Sequence, residues 1–141
     1  MQITHRYTLV CDEVRREDNG KLLLIGVYQH IILVPQFPAT FPLTFVQALE
    51  SDRPGNWSVR MRLQHLETGQ RIMEGMGALT FQKPGFAFNP VRLPPVQFQA
   101  SGTYHFVIEV ENQPEPIIYE FALALRGAHG QAGQQMAQPN F

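Results

Sequence analysis

Histidine, cysteine and clustered carboxylates are the residue types here that could do chemistry, and their spacing decides whether they do. The histidines stand at 5, 30, 65, 105 and 129. None pairs with another at a spacing that would share a helix face or flank a cysteine motif, which is what a built metal site needs. His65 and His105 fall on strands that could be neighbours, and Asp12 or Glu109 would have to complete any set they form. Histidines on the polar face of a strand are the simpler account, and no metal and no cofactor are expected. Cys11 would be a nucleophile only if a neighbouring cation or histidine lowered its pKa. It alternates with Leu9 along one strand face, which reads as a small buried hydrophobe. The chain has no Gly-x-Ser-x-Gly elbow, and Gly75-Met76-Gly77 lacks the third glycine and the following helix of a phosphate loop. Asp12, Glu13, Glu17 and Asp18 cluster beside Arg15, Arg16 and Lys21, which neutralise them in a solvated turn. No catalytic residue is assigned.

What remains is chemistry of binding. Arg60, Arg62 and Arg71 form a basic stripe able to grip a phosphate or an acidic peptide, and Glu109, Glu111 and Glu120 form an opposite stripe. Cross-strand pairing or plain solubility is the simpler account of both. Phenylalanine is abundant at 10 residues, and four lie in proline-bounded segments: Phe37 and Phe41 between Pro35 and Pro42, Phe86 and Phe88 between Lys83 and Pro90. Loop phenylalanines either plug the ends of a sandwich or project as anchors for a partner. The candidate binding set is therefore Phe37, Phe41, Phe86 and Phe88, with Arg60 and Arg62 as a polar complement.

The elements that must position these residues are strands. From Gly102 to Val110 the sequence alternates strictly, Tyr104, Phe106, Ile108 and Val110 on one face, His105, Val107 and Glu109 on the other, as a sheet with one dry side requires. Trp57, Val59, Met61 and Leu63 repeat the pattern. Tyr7–Val14 leads through Asp18-Asn19-Gly20, a hairpin turn by its Asn-Gly pair, into Lys21–Tyr28, which continues through Ile31–Val34 after a bend near Gly26 or Gln29-His30. Three prolines make 35–42 a stiff crossover. Further strands are read at 43–50, 71–81, 91–99 and 117–125, with 83–90 as a loop. Pro94-Pro95 confines the 91–99 strand to an edge or splits it. No stretch carries a helical apolar stripe. Antiparallel reversal of eight strands would put 35–42, 67–69 and 100–102 at one end, and 18–20, 51–56, 83–90 and 112–116 at the other.

Composition sets the outer limits. A chain of 141 residues is one domain by length and can bury a core without bridges or metals. Eleven basic against twelve acidic residues leave a net charge of −1, so no overall field draws a polyanion and nucleic acid is not an expected partner. A single cysteine excludes an internal disulfide and suits a reducing, cytoplasmic setting. No apolar run approaches the roughly 20 residues of a membrane helix, and the first residues lack the apolar core of a signal peptide. From Gly127 to Phe141 the chain turns to Gly, Ala and Gln, a composition expected of a flexible tail.

Two resemblances follow from particular residues. Ala100-Ser101-Gly102-Thr103-Tyr104-His105-Phe106 is similar to the strand before the second core cysteine of immunoglobulin domains, Phe106 standing where that cysteine would be. This implies the sandwich architecture alone. Cys11-Asp12-Glu13-Val14-Arg15, then Gly20-Lys21-Leu22-Leu23-Leu24-Ile25-Gly26-Val27-Tyr28 and Phe37-Pro38-Ala39, resembles the opening of a group of small bacterial domains of unknown function, through most of 7–126. That implies a small bacterial or phage-borne β-domain and supplies no activity.

The expectation is an all-β domain over 1–126, an antiparallel immunoglobulin-like sandwich of about 7–9 strands, followed by the 127–141 tail. It would act as a non-enzymatic protein-interaction module through aromatic loops or an exposed strand edge, its partner another protein or a second copy. The alternatives are a small-ligand binder or enzyme with a pocket near Cys11 or His105, and a structural accessory of a phage or large assembly.

Overall fold

The structure, a computed structural model, describes residues 3–127. The tail assigned to 127–141 lies outside the described residues apart from Gly127. Nine strands follow in order: β1 (Ile3–Arg16), β2 (Leu22–Val27), β3 (Ile31–Val34), β4 (Ala39–Ser51), β5 (Gly55–His65), β6 (Arg71–Phe81), β7 (Gly85–Phe98), β8 (Gly102–Val110) and β9 (Ile117–Leu125). They form a four-stranded sheet, β2-β1-β4-β7, and a five-stranded sheet, β3-β9-β8-β5-β6.

The two sheets close on one apolar interior. Period-two alternation sends Leu43, Phe45 and Leu49 of β4, Phe98 of β7, Tyr104, Phe106 and Ile108 of β8, and Phe121 and Leu123 of β9 into it, all essentially inaccessible to solvent. Rings dominate because they fill much volume in few rotamers. Phe45 stacks on Phe106, and Tyr104 stacks on Phe121 at 5.7 Å. The Tyr104 hydroxyl donates back to the Ala100 carbonyl, pinning the turn that launches β8.

Four readings of the sequence are corrected. The run 21–34 is two strands: β2 pairs with β1, whereas β3 has crossed to the other sheet and runs parallel to β9. The antiparallel pattern thus has one parallel exception, and the Asp18–Gly20 turn lies at the same end as 35–38, 67–69 and 100–102. Gly26 marks the break, its φ of 69° placing it where a side chain would collide with Asp12. The crossover is shorter than its prolines imply. β4 begins at Ala39, and Pro42 is absorbed as a register shift between Phe41 and Leu43. Finally, 83–90 is not a loop: β7 starts at Gly85, and Phe86 and Phe88 pair with Glu50 and Ala48. Pro90, Pro94 and Pro95 are tolerated because β7 is an edge strand, as the Pro94-Pro95 pair requires.

Candidate functional site: an aromatic face on the four-stranded sheet

A sandwich strand should turn one face to the core and a polar face to water. β4 breaks this rule, since every residue from Leu43 to Leu49 is buried. Leu43, Phe45, Gln47 and Leu49 point inward; Thr44, Val46 and Ala48 point outward, where the described residues form no third layer. Side chains of the neighbouring strands cover them. Register places Tyr7 of β1 and Phe88 of β7 on either side of Ala48, and their rings meet edge to face at 6.5 Å. Phe86 joins Phe88 at 5.0 Å, again edge to face. The next row is Leu9, Val46 and Pro90, and the one after it Val27, Cys11, Thr44 and Arg92.

The rings that shield Ala48 are themselves exposed: Tyr7 at 44%, Phe86 at 53% and Phe88 at 40%. Leu9, and Val27 at the end of β2, extend the exposed apolar surface along the same rows. At full aromatic areas of about 150–250 Å² each, the three rings alone leave on the order of 250 Å² in water. With the aliphatic neighbours the patch reaches the several hundred Å² that marks a binding surface on a monomer. Its rim charges are paired with each other, Arg6 with Glu50 at 3.0 Å and Arg15 with Glu13 at 3.1 Å. The distal part of the β1–β2 hairpin bends over the same face: Val14, Leu22 and Leu24 pack with Cys11 and Val46, and Arg92 donates to the Val14 carbonyl at 2.9 Å although β4 lies between their strands.

The sequence-derived residues separate into three groups. Phe86 and Phe88 come together on this face. Phe37 and Phe41 pack against the core at the opposite end of β7's course, Phe41 stacked on Phe98 at 5.2 Å and tilted against Tyr28. Arg60 and Arg62 lie on the outer face of the other sheet, where Arg62 pairs with Glu109 and Arg60 is exposed. Sequence reasoning does not single out Tyr7 and Leu9. Their signal is the apolar character of both faces of β1, Tyr7, Leu9 and Cys11 on one and Val10 on the other, which a strand with one wet side should lack.

The residues considered for catalysis are held in structural contacts. Cys11 is fully buried, its thiol donates to the Glu13 carbonyl at 3.4 Å, and burial pushes its pKa up, away from the thiolate. Asp12 accepts from the Tyr28 hydroxyl, whose pKa burial also raises. His65 and His105 are on adjacent strands, yet they point to opposite faces. His65 faces inward, bonded to Thr68 at 2.8 Å and the Ser101 carbonyl at 3.0 Å; His105 faces out and meets Glu120 at 2.8 Å. Among the described residues no three His, Cys, Asp or Glu side chains gather to hold a metal ion. No helix of the described residues is long and apolar enough to cross a membrane.

Residues 6–118 match the model described as a family of unknown function (DUF6941). No curated protein matches the chain.

Proposed function

We propose that this chain, which belongs to the family of unknown function DUF6941, is a non-enzymatic protein-interaction module that receives its partner on the outer face of the four-stranded sheet. The observation that carries the reading is the exposed ring cluster of Tyr7, Phe86 and Phe88 over a buried Ala48. Burying such rings against a partner releases apolar area at roughly 25 cal/mol per Å², and rigid aromatics on a sheet lose little rotamer freedom in doing so. Self-paired rim charges leave the face without a field, so the complement is an apolar protein surface in place of a polyanion. The lone, buried Cys11 and the absence of any disulfide among the described residues favour the cytoplasm.

We read the topology as immunoglobulin-like in outline. In its favour are the Tyr104 hydrogen bond to the Ala100 carbonyl, which has the form of a tyrosine corner, and the Phe45–Phe106 stack, which spans the sheets as the inter-sheet disulfide of antibody domains does.

The test is the double variant Phe86→Ser, Phe88→Ser in the full chain, used beside the wild type to capture proteins from native lysate, with melting temperature measured in parallel. Loss of specific captured proteins from a variant that melts within a few degrees of wild type is expected. Identical capture by both would overturn the reading.

A further inference from the structure

A different part of the surface, the edge of the five-stranded sheet, has hydrogen-bonding capacity that no described residue meets and that the aromatic face does not explain. Unpaired strand edges are templates for adding another strand, and folded proteins blunt them with short strands, proline or charge. Three of the four edges here are blunted: β2 has 6 residues, β3 has 4, and β7 carries Pro90, Pro94 and Pro95. The fourth, β6, has 11 residues and no proline. Its charges, Arg71 and Glu74, pair with each other near its start. From Gly75 to Thr80 it carries none, and Met76 at its centre is 76% exposed, more than any other large hydrophobic residue described.

The ladder shows which groups are free. Glu111 donates to the Ser58 carbonyl at 2.9 Å and Leu66 to Thr103 at 2.8 Å, so even-numbered residues of β5 turn their main chain toward β8. Odd-numbered ones turn toward β6, as the His65 bond to the Gln70 carbonyl confirms. Val59 and Met61 therefore bond Gly77 and Gly75, their register partners. The N–H and C=O groups of Glu74, Met76 and Ala78 face away from the sheet, in a row ready for a further strand.

We propose that this edge pairs antiparallel with β6 of a second copy, about a twofold axis at Met76, joining the two five-stranded sheets into one. The strand is complementary to itself in this register. Across the axis the outer row reads Glu109, Arg60, Met76, then the partner's Met76, Arg60 and Glu109. Glu74 comes opposite the partner's Ala78, so no like charges face each other, and the small alanine leaves the carboxylate room toward the partner's Arg60. Arg60 is the cation of this face without an ion pair among the described residues, whereas Arg62 and Arg71 are matched. On the inner face Gly75 and Gly77 present no side chain at the seam, which lets the two backbones approach. Such a pairing is isologous and closes at two copies.

Sedimentation velocity of the full chain over a wide concentration range tests this, with two variants. Ala78→Pro removes an outward N–H without touching the bond network to β5, and Met76→Lys sets two charges face to face at the axis. A wild-type dimer is expected, with the dissociation constant raised at least tenfold by either variant that remains folded. Cysteine placement gives the register, the native Cys11 being buried: Met76→Cys should form a disulfide-linked dimer under mild oxidation, and Thr80→Cys should not. A wild-type monomer at every concentration, or a dimer indifferent to both variants, overturns the proposal. The Phe86→Ser, Phe88→Ser variant should dimerise like wild type, so the two readings fail separately.

Discussion

Phe45 and Phe106 stack across the two sheets with ring centroids 4.1 Å apart and planes 14° from parallel. Phe45 also meets Tyr119 edge to face at 6.0 Å and Phe121 at 5.9 Å, which makes it the hub of the aromatic core. Replacing a buried phenylalanine by alanine removes its transfer free energy and leaves a cavity, at a typical total of about 3–5 kcal/mol. Urea unfolding of Phe45→Ala and Phe106→Ala should each show a loss in that range. The double variant should lose less than the sum, because the two cavities merge.

Gln47 is buried among the core residues of β4, and neither its amide nitrogen nor its carbonyl oxygen has a hydrogen-bond partner. An unsatisfied buried polar group costs about 1–3 kcal/mol relative to a bonded one. Gln47→Met keeps the length of the side chain and removes that cost, so the variant should be more stable than wild type by about 1 kcal/mol in urea unfolding. A loss of similar size would show that the amide is bonded within the core, through an internal water.

Gly102 launches β8 with φ at 135°, and a Cβ there would lie 2.5 Å from Nε2 of His65 and 2.6 Å from Oε1 of Glu67. Strain and collision act together in Gly102→Ala, which should cost about 2 kcal/mol or more. Gly20→Ala supplies the control: its φ is also positive, but open space surrounds it. It should cost less, and a thermal melt of both variants ranks them.

Acid and alkali should both destabilise the fold. Burial holds His5 below its ordinary 6.5, so as pH falls through that value the unfolded chain takes up the proton first and stability declines. Glu67 is held below its ordinary 4.5, chiefly by the Thr103 N–H it accepts at 3.0 Å, and its contribution is present above 4.5 and lost on further acidification. Burial raises Cys11 from 9.0 and Tyr104 from 10.0, so the unfolded chain releases those protons first as pH rises. Melting temperature should be highest between pH 6.5 and 9. Glu67→Gln should flatten the decline below pH 4.5.

Phe86 and Phe88 illustrate how far the sequence can be read. Their proline-bounded, glycine-led setting has the composition of a loop, and composition cannot register that β4 offers twelve residues of partner strand beside them. Once paired, they no longer seal an end of the sandwich. They lie flat on a face, with Tyr7 brought from the start of the chain to meet them. Phe37, where the chain crosses between sheets, and Phe41, at the start of β4, are alike in composition but pack inward against the core, Phe41 on Phe98 and Tyr28.

Local alternation determined the two-sided strands at 57–63 and 102–110, the Asn19-Gly20 turn, the edge status of the strand holding Pro94-Pro95 and the all-β class, because each depends on side-chain period or backbone freedom within a few residues. Only the tertiary structure decided that 21–34 divides between the sheets, that β3 runs parallel to β9, and that Tyr7, Phe86 and Phe88 converge over Ala48. Those outcomes rest on which strand becomes whose neighbour, and pairing partners are chosen by the packing of the whole core.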